Sequence, residues 1–150
     1  MSFYIDSLIK IAISILLGGL IGLEREQEDK SAGLRTCILV TLSMTTFMIF
    51  NLLLSTRFNF SSDFSRIPAY CIASVGFIGS GVIVLNKQKL EGITTASIML
   101  CLVGLGLLIG IGEYILPSII GVLVFGILKL KYLEFKFIFK NKKPRKRGKK

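Results

Sequence analysis

The chain has 150 residues, 52% hydrophobic and 19% charged, with a mean hydropathy of +0.70 and a formal net charge of +10. Soluble domains carry about 25% charged residues, so this balance points to a membrane protein. The absence of histidine and the wide spacing of Cys37, Cys71 and Cys101 offer no metal site, disulfide framework or ready general base.

The charge is unevenly placed. Eleven of the 19 Lys/Arg lie in residues 129–150 beside one acid, Glu134, whereas the first 128 residues are neutral overall. The basic character therefore belongs to a tail and not to a nucleic-acid-binding domain. Each cysteine falls in a different apolar run and reads as a buried free thiol behaving as a small hydrophobe.

Crossing a hydrocarbon core of about 30 Å takes ~20 mostly apolar residues as helix. Five segments approach that length: residues 3–23, 36–55, 67–86, 93–112 and 114–131. The first lacks the basic start and small-residue cleavage site of a signal peptide, so it is expected to be a retained span. Its Ser14, Gly18 and Gly22 recur every four residues on one helix face. Such small residues either let helices approach closely or line a cavity or an oligomer contact.

The loop after the first span, residues 24–35, carries Glu24, Arg25, Glu26 and Arg35 at headgroup depth. These side chains form either a solvated cap or a paired inner-face charge network that avoids burying one sign alone. Gly33 suits a turn before the second span. Ahead of the third span, Asp63 and Arg66 either pair or leave Asp63 as a helix cap. Gly76 and Ser80 share a face of the third span, as do Gly106 and Gly110 in the fourth. At the entry to the fourth, Thr94 and Thr95 either fill local backbone acceptors or line a polar crevice beside the third.

Residues 93–130 are almost continuously apolar, far too long for one span. A hairpin near Gly112 and Glu113 is expected, with Pro117 in the first turn of the fifth helix, where a missing N–H is tolerated. With the N-terminus outside, inner segments hold sixteen Lys/Arg and outer ones two, Arg57 and Arg66, which sets the orientation. Lys10 alone lies within a span and can snorkel outward.

Residues 129–140 alternate apolar and charged side chains with a period near two, suiting a short strand or an interfacial segment. Residues 141–150 are nearly all charge and expected to be disordered. The division is thus a five-helix membrane domain over residues 1–131 and a cytoplasmic polybasic tail over 132–150. The tail reads as a topology anchor, a binder of anionic lipid or a contact for a specific partner.

Three blocks, GGLIGLEREQEDKSAGLRT, RIPAYCIASVGFIGSGVIV and EGITTAS, in this order and spacing, resemble the MgtC/SapB family of bacterial inner-membrane proteins. The resemblance covers about residues 8–128. It implies an all-α, five-span, multi-pass protein of the bacterial inner membrane, N-terminus outside and C-terminus cytoplasmic, agreeing with the charge count. Many relatives continue into a cytoplasmic ACT-type domain, which this chain is expected to lack.

The same resemblance implies a link to low-magnesium growth, to survival inside macrophages and, for some members, to inhibition of the F-type ATP synthase. The family's recurring positions fall here on Gly22, Glu24, Arg25, Glu26, Gly33, Leu34, Arg35 and Thr36. They continue at Arg66, Gly76, Phe77, Gly79, Gly81, Gly92, Thr94, Thr95 and Ala96. Departures fall at Tyr70, Ala73, Ser74 and Leu100, along the third and fourth spans.

The expected function is that of a non-enzymatic modulator of a membrane process, linked to low-magnesium adaptation or ATP synthase regulation. The alternative is a small oligomeric transporter or channel for magnesium or another solute. Against transport, no acid lies mid-span, where coupling residues usually sit. Partners are therefore the bilayer, a membrane protein such as the F-type ATP synthase by resemblance, and a second copy of the chain. No catalytic residue, cofactor or metal is expected.

Overall fold

With no water inside a bilayer, a spanning backbone must satisfy its own hydrogen bonds, and the apolar runs of this chain are helices accordingly. The structure is a computed structural model that describes residues 2–58, 63–86 and 89–139. In chain order the elements are α1 (Ser2–Gln27), α2 (Leu34–Phe58), α3 (Arg66–Val82), β1 (Val84–Asn86), β2 (Lys89–Glu91), α4 (Ile93–Ile111) and α5 (Ile115–Phe139). Phe3–Gln27, Leu34–Arg57 and Ile93–Ile111 are long and apolar enough to cross a membrane, while Arg66–Val82 and Ile115–Leu130 are shorter apolar helices.

Two expectations about secondary structure are corrected. The third helix stops at Val82 rather than residue 86, and the chain turns into an antiparallel hairpin pairing Val84 with Glu91, Leu85 with Leu90 and Asn86 with Lys89. A short apolar run such as Val82-Ile83-Val84-Leu85 does not distinguish helix from strand by periodicity, and its β-branched residues suit the strand. The architecture is all-helical apart from this hairpin. Gly92 closes it at φ +89°, and a Cβ there would collide with the Val82 carbonyl oxygen.

The second correction concerns residues 129–139, which continue α5 as helix instead of forming a strand. Leu and Lys favour helix, and neither Gly nor Pro interrupts the run. The basic stretch from residue 140 onward, with its proposed lipid contacts, lies outside the described residues. The expected α4–α5 turn is present. Gly112 at φ +107° ends α4, with Gly112 N–H donating to Ile109 O and Glu113 N–H to Leu108 O, both at 3.0 Å.

Helix α4 is the centre of the bundle and touches the other four. Its buried residues include Met99, Leu102, Val103, Leu105 and Ile109. Against one side lies a seam of α1, α2 and α4 made by small residues. A Cβ on Gly18 would lie 2.8 Å from Thr41 Oγ1, and one on Gly22 2.8 Å from Leu34 Cα. On α4, a Cβ at Gly106 would lie 2.6 Å from Thr41 O, and one at Gly110 would collide with Met48 Cβ. Thr45 Oγ1 donates to Gly106 O at 3.0 Å, joining α2 to α4 across the seam. Large apolar side chains such as Leu16, Phe77, Ile115 and Val122 face outward, which in a membrane protein is the lipid side.

At the end of the bundle bearing the start of α1, polar groups are joined side chain to side chain. Lys10 is buried, and its Nζ reaches back one turn towards the start of α1 to lie 2.7 Å from Asp6 Oδ2. The Tyr114 hydroxyl donates to Asp6 Oδ1 at 2.8 Å, tying α1 to the approach to α5. Asn51 Nδ2 donates to Phe64 O at 2.9 Å, anchoring the entry to α3 on α2. Asp63 neither pairs with Arg66 nor caps the helix. Its Oδ1 accepts from the N–H and hydroxyl of Ser65, and these bonds hold its carboxyl below the usual range.

Candidate functional site

The opposite end gathers most of the polar residues singled out in the sequence. Helix α1 ends with Lys30 N–H donating to Arg25 O and Asp29 in the left-handed region at φ 51°. This winds the chain back so that the last turn of α1 faces the start of α2. Glu24 and Arg25 are both 4% exposed, and Arg25 donates from Nε and Nη2 to Glu24 Oε2. Each charge would be costly alone at that depth.

Glu26 has a different role. Its Oε2 accepts from Leu34 N–H at 2.9 Å, satisfying one of the unpaired donors at the start of α2. The carboxylate occupies the space that a Cβ on Gly33 would fill, so a side chain at position 33 would have to displace the Glu26 carboxylate from this bond. Arg35 lies outside any network. It is exposed and makes no ion pair among the described residues. The face of α2 turned to α1 carries Leu34, Cys37 and Thr41, and the residue after Leu34 points about 100° away from it.

Arg25 reaches a crevice of about 1010 Å³ that also takes in the hairpin, the start of α4 and the later part of α5. Gly92, Thr94, Thr95 and Arg25 are among its polar lining. Asp29, Lys30 and Glu91 line it as well, and Val82, Ile127 and Leu128 supply an apolar wall. Of the alternatives open for the two threonines, the structure places both on this crevice. Thr95 is 3% exposed.

The remaining sequence candidates are dispersed. Gly22 lies in the α1–α2 seam, and a Cβ added to Gly79 would lie 3.4 Å from Ala96 Cβ. Gly76 and Gly81 have open space where a Cβ would stand, and Phe77 is 82% exposed. Arg66 is exposed at the start of α3, at the far end of the bundle. Cys37 and Cys71 are buried free thiols, whereas Cys101 is exposed and corrects the expectation that all three are buried. Among the described residues no group of three or more His, Cys, Asp or Glu is placed to hold a metal ion. Sequence reasoning missed the Asp6–Lys10–Tyr114 cluster, although the i,i+4 spacing of Asp6 and Lys10 was a usable signal.

The MgtC family pattern matches residues 11–134. The chain belongs to the MgtC family. Among curated MgtC-family relatives, it is 39% identical over 121 residues to Protein SapB of Bacillus subtilis (strain 168), covering 76% of this chain and 52% of that protein. It is 37% identical over 102 residues to Protein MgtC of Brucella abortus (strain 2308), covering 68% of this chain and 41% of that one. It is 32% identical over 146 residues to a protein of Escherichia coli (strain K12) named putative magnesium transporter YhiD, covering 91% of this chain and 66% of that one. The chain thus spans about half the length of the first two of these relatives. No solved structure matches it. The match to the family takes in the crevice residues of α1, the hairpin, α4 and α5 together.

Proposed function

We propose that this MgtC-family protein is a multi-pass protein of the bacterial inner membrane with five spans, N-terminus outside and C-terminus cytoplasmic. It acts as a non-enzymatic modulator of a membrane process tied to magnesium adaptation or to ATP synthase regulation. The observation that carries the reading is the seam of α1, α2 and α4. Backbone and Cβ atoms meet there so closely that Gly18, Gly22, Gly106 and Gly110 admit no side chain. A bundle closed in this way has no lumen along the seam, and the ion pairs among its described residues, Asp6–Lys10 and Glu24–Arg25, lie towards its two ends. Such a body suits binding better than conduction.

Orientation places the crevice on the cytoplasmic side, since the Lys/Arg bias of the short loops puts residues 24–35 inside. The name of the Escherichia coli relative supports a second reading, transport of magnesium. The deciding experiment has two arms. Purified protein in liposomes is expected to give no magnesium uptake above protein-free vesicles, and affinity isolation in mild detergent from cells grown in low magnesium is expected to recover a stoichiometric membrane partner. Robust uptake without a partner would overturn the modulator reading. A reporter fused after Leu128 and found outside the cell would overturn the orientation.

A further inference from the structure

The crevice lining combines features that the modulator reading does not require. Helix α4 runs for 19 residues and begins at Gly92, which has no side chain to cap it, and no side-chain hydrogen bond serves its start. The first intrahelical bond of its opening turn is Ala96 N–H to Gly92 O at 2.9 Å. The N–H groups of Ile93, Thr94 and Thr95 therefore have no intrahelical acceptor, and the helix dipole adds partial positive charge at the same point.

Thr95 is the independent observation. The hydroxyls of Thr41, Thr46 and Thr56 donate to the carbonyl four residues earlier, and that of Thr45 crosses to Gly106 O. For Thr95 the residue four positions back is Glu91, in strand β2 and not in the helix. Its hydroxyl is left without a partner among the described residues, although the side chain is 97% buried and lines the crevice. Among the described residues no buried side-chain oxygen or nitrogen is both unpartnered and sealed from access, so the hydroxyl opens onto the crevice. Arg25 lines the same crevice. Two of its donors go to Glu24, and Nη1 has no partner among the described residues.

We propose that this crevice binds a phosphate group, held by the first-turn N–H groups of α4, the Thr95 hydroxyl and Arg25. A phosphate oxygen accepts from all three kinds of donor, and the negative charge balances both the helix terminus and the Arg25 side of the Glu24 pair. Asp29 and Glu91 oppose an anion, but both are exposed, where water and salt screen them, and Lys30 also lines the crevice. The space of about 1010 Å³ exceeds what inorganic phosphate fills, and Ile127 and Leu128 offer an apolar wall. The phosphate is thus the anchor of a larger molecule, either a phospholipid headgroup or a soluble phosphate ester.

The test uses the full chain in a neutral detergent, reading the thermal unfolding midpoint and native mass spectra. One arm titrates sodium phosphate against sodium chloride at equal ionic strength. The other adds phosphatidylglycerol against phosphatidylcholine in mixed micelles. Thr95→Val keeps the buried volume and removes the hydroxyl, so its unliganded midpoint is expected to match the parent. Losing one hydrogen bond to a charged group weakens binding by about tenfold or more, and Thr95→Ser is expected to restore it. Thr95→Ala, with the same expectation, serves if the valine variant does not fold.

A saturable response to phosphate that is weakened by Thr95→Val supports the site. Competition by phosphatidylglycerol then assigns the lipid as source, and its failure to compete assigns a soluble ester. A phosphatidylglycerol response weakened by Thr95→Val, without one to phosphate, supports the lipid source alone. The basic tail attracts anionic lipid in parent and variant alike, so only the part sensitive to Thr95→Val counts. No saturable response in either arm, or equal responses in parent and variant, would overturn the proposal.

Discussion

The glycines of α1 and α4 and those of α3 sit in similar sequence surroundings yet do different things. Gly18 and Gly22, like Gly106 and Gly110, recur at four-residue spacing, and each pair lets α2 approach to backbone contact. On α3, Gly76 and Gly81 face open space, and only at Gly79 would an added Cβ touch α4, at an ordinary packing distance. Small residues at helical spacing therefore mark where close approach is permitted. Whether it is used depends on a partner face such as that of Cys37, Thr41, Thr45 and Met48, which supplies backbone and Cβ atoms at matching heights.

That contrast between a closed seam and an open flank can be broken or sharpened by substitution, with thermal unfolding in detergent as the readout. The largest effect is expected at the foot of α1. Glu24→Ala strands Arg25 as an unpaired charge at 4% exposure, a loss of about 4 kcal/mol. Next comes Gly110→Ala, whose new methyl meets Met48 Cβ and lies 2.9 Å from Thr45 O, costing roughly 3 kcal/mol through overpacking. Thr45→Val removes the bond to Gly106 O across the same seam and is expected to cost about 1 kcal/mol.

The smallest effects belong to the open regions. Gly81→Ala meets nothing within 4 Å and should stay within about 0.5 kcal/mol of the parent, with helix propensity favouring Ala. Arg35→Ala should do the same, because this arginine is exposed and has no ion pair among the described residues. If Gly110→Ala and Gly81→Ala shifted stability equally, the contrast would collapse. If Arg35→Ala matched Glu24→Ala, the loop would act as one charge network after all.

The sequence made the helices legible because length and apolarity alone decide where a span can stand. Residues 36–55 and 93–112 were expected as helix and are found within Leu34–Phe58 and nearly throughout Ile93–Ile111. The hairpin was hidden because Val84 and Leu85 read equally well as the last turn of a helix. Over residues 24–35, charge alone could not rank the four candidates, which fall in the last turns of α1 and the first turn of α2. Glu24 and Arg25 face each other in the last turn, Glu26 turns to the N–H of Leu34, and Arg35 starts a helix on its far side. Those assignments depend on where the return of the chain places α2, which no local pattern states. The approach of α5 to Arg25 was likewise invisible, since Ile127 and Leu128 look like any other apolar residues of a span.

The hydrogen bond from Tyr114 to Asp6 joins residues 108 positions apart. During synthesis Asp6 and Lys10 can therefore meet as soon as α1 winds, but the tyrosine arrives only after four helices have been made. In the five-span arrangement proposed above, the first helix enters the bilayer with Asp6 and Lys10 already paired, and the phenol joins them only at the end. Insertion is then sequential while completion is late. Chains halted before residue 114 should be held by the insertion machinery longer than chains extended past it, and Tyr114→Phe should lengthen that residence without altering the order in which the helices enter.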